Sequence, residues 1–148
     1  MEYFSGEKMK KALFILATAI TLSACIMGQD TTVKQHDLQH HRFELLSVDG
    51  QTVPAAQGRI PEIEFGEKMH VSGKMCNNFF GQGELQNSVL TVKGLASTRM
   101  LCSDENLNKW DQVIGEVLNN GAALNLQDHK LTLTQGKHTL VYRLKDRM

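Results

Sequence analysis

Blocks of like charge, long apolar runs and diagnostic catalytic spacings are all missing from this sequence of 148 residues. Lysine and arginine together number 16, and so do aspartate and glutamate, so the formal charge is zero at pH 7. Without a basic patch, the sequence argues against nucleic acid as a partner. No apolar run reaches the roughly 20 residues that a membrane-spanning helix needs.

Catalytic signatures are scarce as well. The sequence has three cysteines but no Cys-x-x-Cys pair, and it has no Gly-x-Ser-x-Gly turn. The six histidines are scattered, whereas a zinc site needs three or four convergent ligands. We therefore expect no catalytic residue, metal or cofactor, and we predict that the chain is not an enzyme. The alternative is a thiol-dependent enzyme in which Cys76 or Cys102 attacks and His70, His129 or His138 acts as the base.

A lysine cluster followed by an apolar segment is typical of a secretory signal. The lysines stand at positions 8, 10 and 11, the apolar segment covers residues 12–22, and small residues precede Cys25. We therefore predict a signal peptide over residues 1–24. Glu2 and Glu7 are atypical of its charged segment, so Met9 is the better translation start.

Leu22-Ser23-Ala24-Cys25 resembles the lipobox of bacterial lipoproteins, in which the cysteine is acylated. Each buried methylene of such an anchor contributes about 0.8 kcal/mol. Ile26 rather than aspartate follows the cysteine, which in Gram-negative lipoproteins favours the outer membrane. We expect a protein anchored there through Cys25, with a polar, flexible tether over residues 25–36 and a domain over residues 37–148 facing the periplasm.

The other two cysteines, Cys76 and Cys102, would then lie in an oxidising compartment, where a disulfide is the default state. Such a bridge would stabilise the domain by about 3 to 4 kcal/mol in the loop-entropy model. Two buried free thiols are the alternative, because a sequence does not fix the distance between two Cα atoms.

Alternation of apolar and polar residues predicts β strands along most of the domain. Asp49-Gly50 is a strong signal for a type I′ hairpin turn, and residues 76–81 are predicted to form a loop. The predicted strands cover residues 41–48, 51–53, 61–65, 68–73, 83–85, 89–93, 123–126, 130–134 and 139–144.

One segment has helical spacing instead. Apolar residues recur three and four positions apart at Leu107, Trp110, Ile114, Val117 and Leu118. The stretch around Asp104 supplies an N-terminal cap, and Gly121 supplies the exit. The predicted fold is mainly β (α+β): a single curved, barrel-like antiparallel sheet of seven or eight strands with one packed α-helix, expected to be a monomer.

The order of these motifs resembles the META domain family, and within it the bacterial heat-shock lipoproteins. The specific core of the resemblance is the Cys76-Asn77 pair and the Thr-x-Met-x-Cys pattern that ends at Cys102. The matching segments are residues 38–43, 61–69, 72–79, 93–102 and 131–133 together with the helix. Many META domains have glycine where this chain has Met75.

The resemblance implies a barrel-like fold similar to the cracked barrels of lipid-binding secretin pilotins. It also implies expression under heat-shock or envelope stress, an association with novobiocin resistance and no known catalytic activity. The expected function is non-enzymatic binding of a lipid, a small hydrophobic molecule or an envelope protein. The candidate motif and contact residues are Asn77, Phe79, Phe80, Thr98 and Arg99. Arg99 could contact a ligand, cap a loop carbonyl or pair with a carboxylate such as Glu64, and Phe79 and Phe80 could simply be packing residues.

Overall fold

Antiparallel strands and one long helix dominate the part of the chain that a computed structural model describes, residues 31–54 and 59–147. We number the strands β1 to β9 and the helices α1 and α2 in chain order. The bounds are α1 Gln35–Leu38, β1 His41–Val48, β2 Gln51–Thr52, β3 Glu62–Phe65, β4 His70–Lys74, β5 Asn78–Gln86, β6 Val89–Ser97, α2 Glu105–Asn120, β7 Ala122–Gln127, β8 Lys130–Gln135 and β9 His138–Arg147. A 3₁₀ turn over Glu67–Met69 links β3 to β4.

The sheet closes on itself because β1 pairs with β3 along one edge and with β9 along the other. Eight strands form this closed antiparallel barrel, and the short β2 folds back on the end of β1. At the turn between β1 and β2, Asp49 and Gly50 both have positive φ, at 50° and 83°. A type I′ turn requires that conformation, which glycine adopts without strain. The predicted barrel-like fold and its Asp-Gly hairpin are confirmed.

The barrel interior holds the apolar side chains of the alternating strands. Phe43 on β1 and Phe65 on β3 meet edge to face, with ring centroids 6.0 Å apart. Burying one side chain of this kind contributes about 1.5 to 3 kcal/mol. On β1 the alternation of inward and outward side chains is interrupted after Leu45, so that Leu45 and Val48, three positions apart, both point inward. The register shift opposite Val141 and Tyr142, which is a β-bulge, accounts for that change.

Helix α2 fills a break in the barrel wall. The carboxylate of Asp104 accepts a hydrogen bond from the backbone N–H of Asn106 and so caps the helix, which ends before Gly121. Strand β6 pairs with β7 at Val89 and Leu90, and beyond those two residues α2 packs beside β6 instead. The predicted helix and its cap are confirmed. The buried face of α2 consists of Trp110, Val113, Ile114, Val117 and Leu118.

Several predicted boundaries differ from the observed ones. Strand β6 continues to Ser97 instead of ending at Lys93, and a 3₁₀ turn over Glu67–Met69 stands where a strand was expected to begin at Lys68. Residues 76–81 were expected to form a loop, but Asn78 already begins β5, because a partner strand on each side satisfies the backbone there. The tether was expected to reach His36. Instead, Val33 is buried and its N–H donates to Oγ of Ser88 at 2.8 Å, so the folded unit starts at Thr32.

The predicted signal peptide, its start at Met9 and the acylated Cys25 lie outside the described residues. Within the residues described, neither α1 nor α2 is both long enough and apolar enough to cross a bilayer.

Candidate functional site

A disulfide joins the turn between β4 and β5 to the segment between β6 and α2. Cys76 and Cys102 are bonded, with Cα atoms 6.0 Å apart, as the sequence predicts for an oxidising compartment. In this state neither sulfur is a thiol. The thiol-enzyme alternative therefore lacks its nucleophile, because the thiolate and not the disulfide is the attacking species.

Asn77 is a buried polar residue, at 7% exposure. Its side-chain oxygen accepts hydrogen bonds from the hydroxyl of Thr98 at 2.8 Å and from the N–H of Met100 at 2.6 Å. Its side-chain nitrogen donates to the carbonyl of Met100 at 3.0 Å and to Oδ2 of Asp111 at 2.7 Å. A carboxamide has two donor hydrogens and two acceptor lone pairs, so this amide is fully occupied. Its geometry is that of a structural junction.

Asp111 brings the helix into the same junction. Its Oδ1 atom accepts the backbone N–H groups of Cys76 and Asn77, each at 3.0 Å. A carboxylate that accepts several N–H groups makes charge-assisted bonds, which are stronger than neutral ones. Asn108, one helical turn earlier, donates to the carbonyl of Cys102 and accepts its N–H. The helix is therefore fixed to both ends of the disulfide.

An open cleft of about 360 Å³ lies beside this junction, and the disulfide is part of its wall. It falls within the size range of small-molecule sites, and its walls are largely apolar. The lining residues are Val53, Pro54, Arg59, Pro61, Met75, Cys76, Met100, Cys102, Ser103, Asp104, Leu107 and Trp110. Arg59 and Asp104 are its charged members and are both exposed.

Two apolar side chains of the segment between β6 and α2 face water. Met100, which lines the cleft, is 56% exposed, and its neighbour Leu101 is 88% exposed. The hydrophobic effect is proportional to the apolar area removed from water, so Leu101 gains little from it and Met100 gains only part of its possible contribution. The two side chains lie next to each other in the chain, and Met100 contributes to the wall of the cleft.

The predicted contact residues separate into two groups. Thr98 joins the junction, where its hydroxyl also accepts the N–H of Asn78 at 3.1 Å. Phe79 is buried and lies opposite Gly73 on β4. A Cβ added to Gly73 would lie 2.5 Å from the ring of Phe79, so Phe79 is a closely packed core residue. Phe80 is 47% exposed and is not among the residues that line the cleft.

Arg99 is exposed in the segment that carries Thr98 and Met100. The suggested pairing with Glu64 is wrong, because Glu64 lies on β3 with its carboxylate 3.8 Å from Nε of Arg42. The cross-strand register places Arg42 and Glu64 directly opposite each other, which explains this choice of partner.

Sequence patterns offer little indication of the roles of Asp111, Asn108 and Trp110. In the sequence, Asp111 resembles any solvated carboxylate on a helix surface. Its one distinguishing feature there is that it follows Trp110. Trp110 was predicted as a core residue, and it is buried, but it also lines the cleft. Gly115 is easier to single out from the sequence, because a glycine in the middle of a helix lowers the stability of that helix.

His138 departs from the expected pattern of solvated surface histidines. Its side chain is 13% exposed, its Nδ1 atom lies 2.9 Å from Oδ2 of Asp49, and its Nε2 atom lies 3.8 Å from Glu116 on α2. Partial burial raises the pKa of Asp49, but the hydrogen bonds from His138 and the backbone of Thr139 outweigh it, so that the pKa lies below its ordinary value. His138, Asp49 and Glu116 together link β9, the turn between β1 and β2, and helix α2. The described residues contain no cluster of three His, Cys, Asp or Glu residues that could hold a metal ion.

Eight antiparallel strands closed around one core, with a helix in the break and a cleft beside a disulfide, define a small β-barrel protein. The model of the META domain family matches residues 36–147, so the chain belongs to the META domain family. A curated relative, "Heat shock protein HslJ" of Escherichia coli (strain K12), is 46% identical over 140 residues, which are 95% of this chain and 99% of the relative.

Two structures solved by NMR are also similar. One shares 50% identity with a TM-score of 0.71, over 75% of this chain and 94% of its own. The other, from Burkholderia xenovorans, shares 19% identity with a TM-score of 0.64, over 88% of this chain and 100% of its own. At that identity the second structure supports the fold alone.

Proposed function

We propose that this protein is a heat-shock-associated outer-membrane lipoprotein that binds acyl chains in the cleft beside the Cys76–Cys102 disulfide and catalyses no reaction. The name of the similar E. coli protein supports the heat-shock association. The lipobox ending at Cys25 supports the anchor, and Ile26 after it supports the outer-membrane location. The family resemblance also implies an association with novobiocin resistance, which a deletion strain would test through its sensitivity to the drug.

The observation that carries the binding function is the exposed apolar pair Met100 and Leu101 at a largely apolar cleft. Covering apolar surface contributes about 25 cal/mol per Å², so an acyl chain would gain from both the cleft wall and this pair. The unbranched methionine thioether adapts to chains of different shape, which suits a lipid better than a rigid polar ligand.

The single tryptophan of the sequence supplies the test, because Trp110 lines the cleft. Titration of the purified protein with dibromostearate should quench the Trp110 fluorescence to saturation, since bromine quenches at contact. Met100→Ser should weaken the binding several-fold. Phe80→Ser is the matched control, because it removes an exposed apolar side chain outside the cleft. Quenching that does not saturate, or an equal effect of both variants, would refute the acyl-chain site.

The anchor has a separate test. Labelled palmitate should enter the protein expressed in bacteria and should be lost from the Cys25→Ala variant. Unchanged labelling in that variant would contradict the lipoprotein assignment and leave the cleft proposal standing. N-terminal sequencing of the unprocessed precursor would distinguish a start at Met9 from one at Met1.

A further inference from the structure

The methionines of the described part of the chain, residues 31–54 and 59–147, differ sharply in their access to water. Met100 is 56% exposed, whereas Met69 and Met75 are buried, at 1% and 5%. A methionine sulfur is oxidised by an oxidant that reaches it from solvent, and the product is a polar sulfoxide. Among these three residues, Met100 is therefore the one that an oxidant in solution meets first.

The backbone of Met100 is fixed where its side chain lines the cleft. Its N–H donates to Oδ1 of Asn77 at 2.6 Å, and its carbonyl accepts from Nδ2 of the same side chain at 3.0 Å. Asn77 is buried and is bonded in turn to Asp111 on α2. Because the backbone of Met100 is held from both sides, a chemical change at its sulfur alters the wall of the cleft in place.

Oxidation would make an apolar part of this wall polar. The sulfoxide oxygen is a hydrogen-bond acceptor, and covering such a group without a partner costs free energy. The backbone N–H groups of Cys76, Met100 and Cys102, which all line the cleft, already donate to oxygens of other side chains. The new oxygen finds no free donor among these groups and keeps its water, which an acyl chain in the cleft would have to displace.

We propose that Met100 is an oxidation site through which a peroxide lowers the affinity of the cleft for acyl chains, an inference that rests on the proposed function of the cleft. The thioether sulfur attacks one oxygen of hydrogen peroxide, the O–O bond breaks and an S–O bond forms. Hydroxide leaves and takes up the remaining proton to become water, so the sulfur loses the two electrons that the peroxide gains. A methionine sulfoxide reductase reverses the change with two thiols, which become a disulfide as water is released.

The test measures quenching of Trp110 by dibromostearate before and after limited treatment with hydrogen peroxide, and compares each protein with its own untreated sample. Peptide mass spectrometry should find the added oxygen at Met100 while Met69 and Met75 are still unmodified. The oxidised protein should bind about tenfold more weakly. Sulfoxide reductases for both epimers, supplied with a dithiol, should restore the affinity to that of untreated protein incubated in the same way.

Three variants assign the effect to one sulfur. Met100→Leu removes that sulfur and keeps an apolar side chain, so peroxide should not change its affinity, even where other methionines of the chain are oxidised. Met75→Leu is the matched control, because it replaces the buried methionine that lines the same cleft, and it should lose as much affinity on oxidation as the unaltered protein. Met100→Gln places a polar side chain of similar length at the wall and should bind weakly without peroxide.

Circular dichroism should show the same fold before and after treatment, and unfolding on oxidation would overturn the proposal. Equal affinity before and after oxidation, an equal loss in Met100→Leu, or earlier oxidation of Met69 or Met75 would overturn it as well while leaving the acyl-chain cleft in place. Absence of saturable quenching in the untreated protein would instead refute the acyl-chain cleft, and this inference with it.

Discussion

Asn77 and Asp111 are joined both through the side chain and through the backbone of Asn77. The side-chain amide of Asn77 donates to Oδ2 of Asp111 at 2.7 Å, and its backbone N–H donates to Oδ1 at 3.0 Å. One residue belongs to a turn of the barrel and the other to the helix. The family motif around Cys76 is therefore an attachment point of α2, and the cleft lies beside it.

Asn77→Ala should lower the free energy of unfolding by about 2 to 4 kcal/mol, because it leaves buried donors and acceptors without partners. Urea denaturation followed by circular dichroism would measure the loss. Asn78→Ala is the matched control, since the neighbouring asparagine is exposed, and it should change stability by about 0.5 kcal/mol or less. Similar losses in the two variants would contradict the structural role of Asn77.

Removal of the disulfide should destabilise the domain by about 3 kcal/mol, since the bridge closes a loop with a sequence separation of 26. Replacing Cys76 and Cys102 together by serine avoids leaving one free thiol. The unaltered protein in reductant should match this double variant in urea denaturation. A reduced protein as stable as the oxidised one would show that Asn77 and Asn108 hold the segment without the bridge.

The Asp49–His138 pair should make the free energy of unfolding depend on pH in the acidic range. The pKa of Asp49 is held below its ordinary value in the fold, so its contribution is present above the unfolded pKa of about 3.9 and disappears as pH falls through the folded pKa. Asp49→Asn should therefore be less stable than the unaltered protein at pH 6, with the difference shrinking towards pH 2. Thermal melts across that pH range would measure it. A difference that is constant with pH would exclude an electrostatic contribution from Asp49.

Tyr142 on β9 places a hydroxyl group in the interior of the barrel. The side chain is fully buried and, within the described part of the chain, its oxygen has no hydrogen-bond partner. Burial raises the pKa of the phenol, so the group stays neutral. Tyr142→Phe should leave the unfolding free energy unchanged or raise it by up to about 1 kcal/mol. Tyr142→Ala should lower it by about 3 to 5 kcal/mol through the cavity it leaves. A marked loss in Tyr142→Phe would reveal a buried partner for the hydroxyl.

Local patterns in the sequence predicted much of this barrel. The alternation in β1 and β3, the turn at Asp49 and the helix after Asp104 depend on neighbours in the chain, and all were correct. The β5 strand was cut short, because Asn78 and the glycines that follow have low intrinsic strand preference. Pairing with β4 and β6 overrides that preference, and pairing is not visible in the strand itself.

The cleft could not be predicted because its walls come from segments far apart in the chain. Val53, Met75, Met100 and Trp110 meet only when the barrel, the disulfide and the helix are all in place. The motif did identify Asn77 and Thr98 as special, but not their partner Asp111. A hydrogen-bond partner 34 residues away is a property of the fold, and one sequence offers no signal for it.

Closure of the barrel depends on its two end strands. Glu44 on β1 and Lys145 on β9 are 101 residues apart in sequence, yet Nζ of Lys145 donates to Oε2 of Glu44 at 2.9 Å. Contacts between such distant residues are slow to form, so the ring should close late in folding and only after the last strand has been synthesised. Until then, β1 and β8 would each expose an unpaired edge in an aggregation-prone intermediate. Loss of a few C-terminal residues should accordingly harm assembly far more than its small share of the core would suggest.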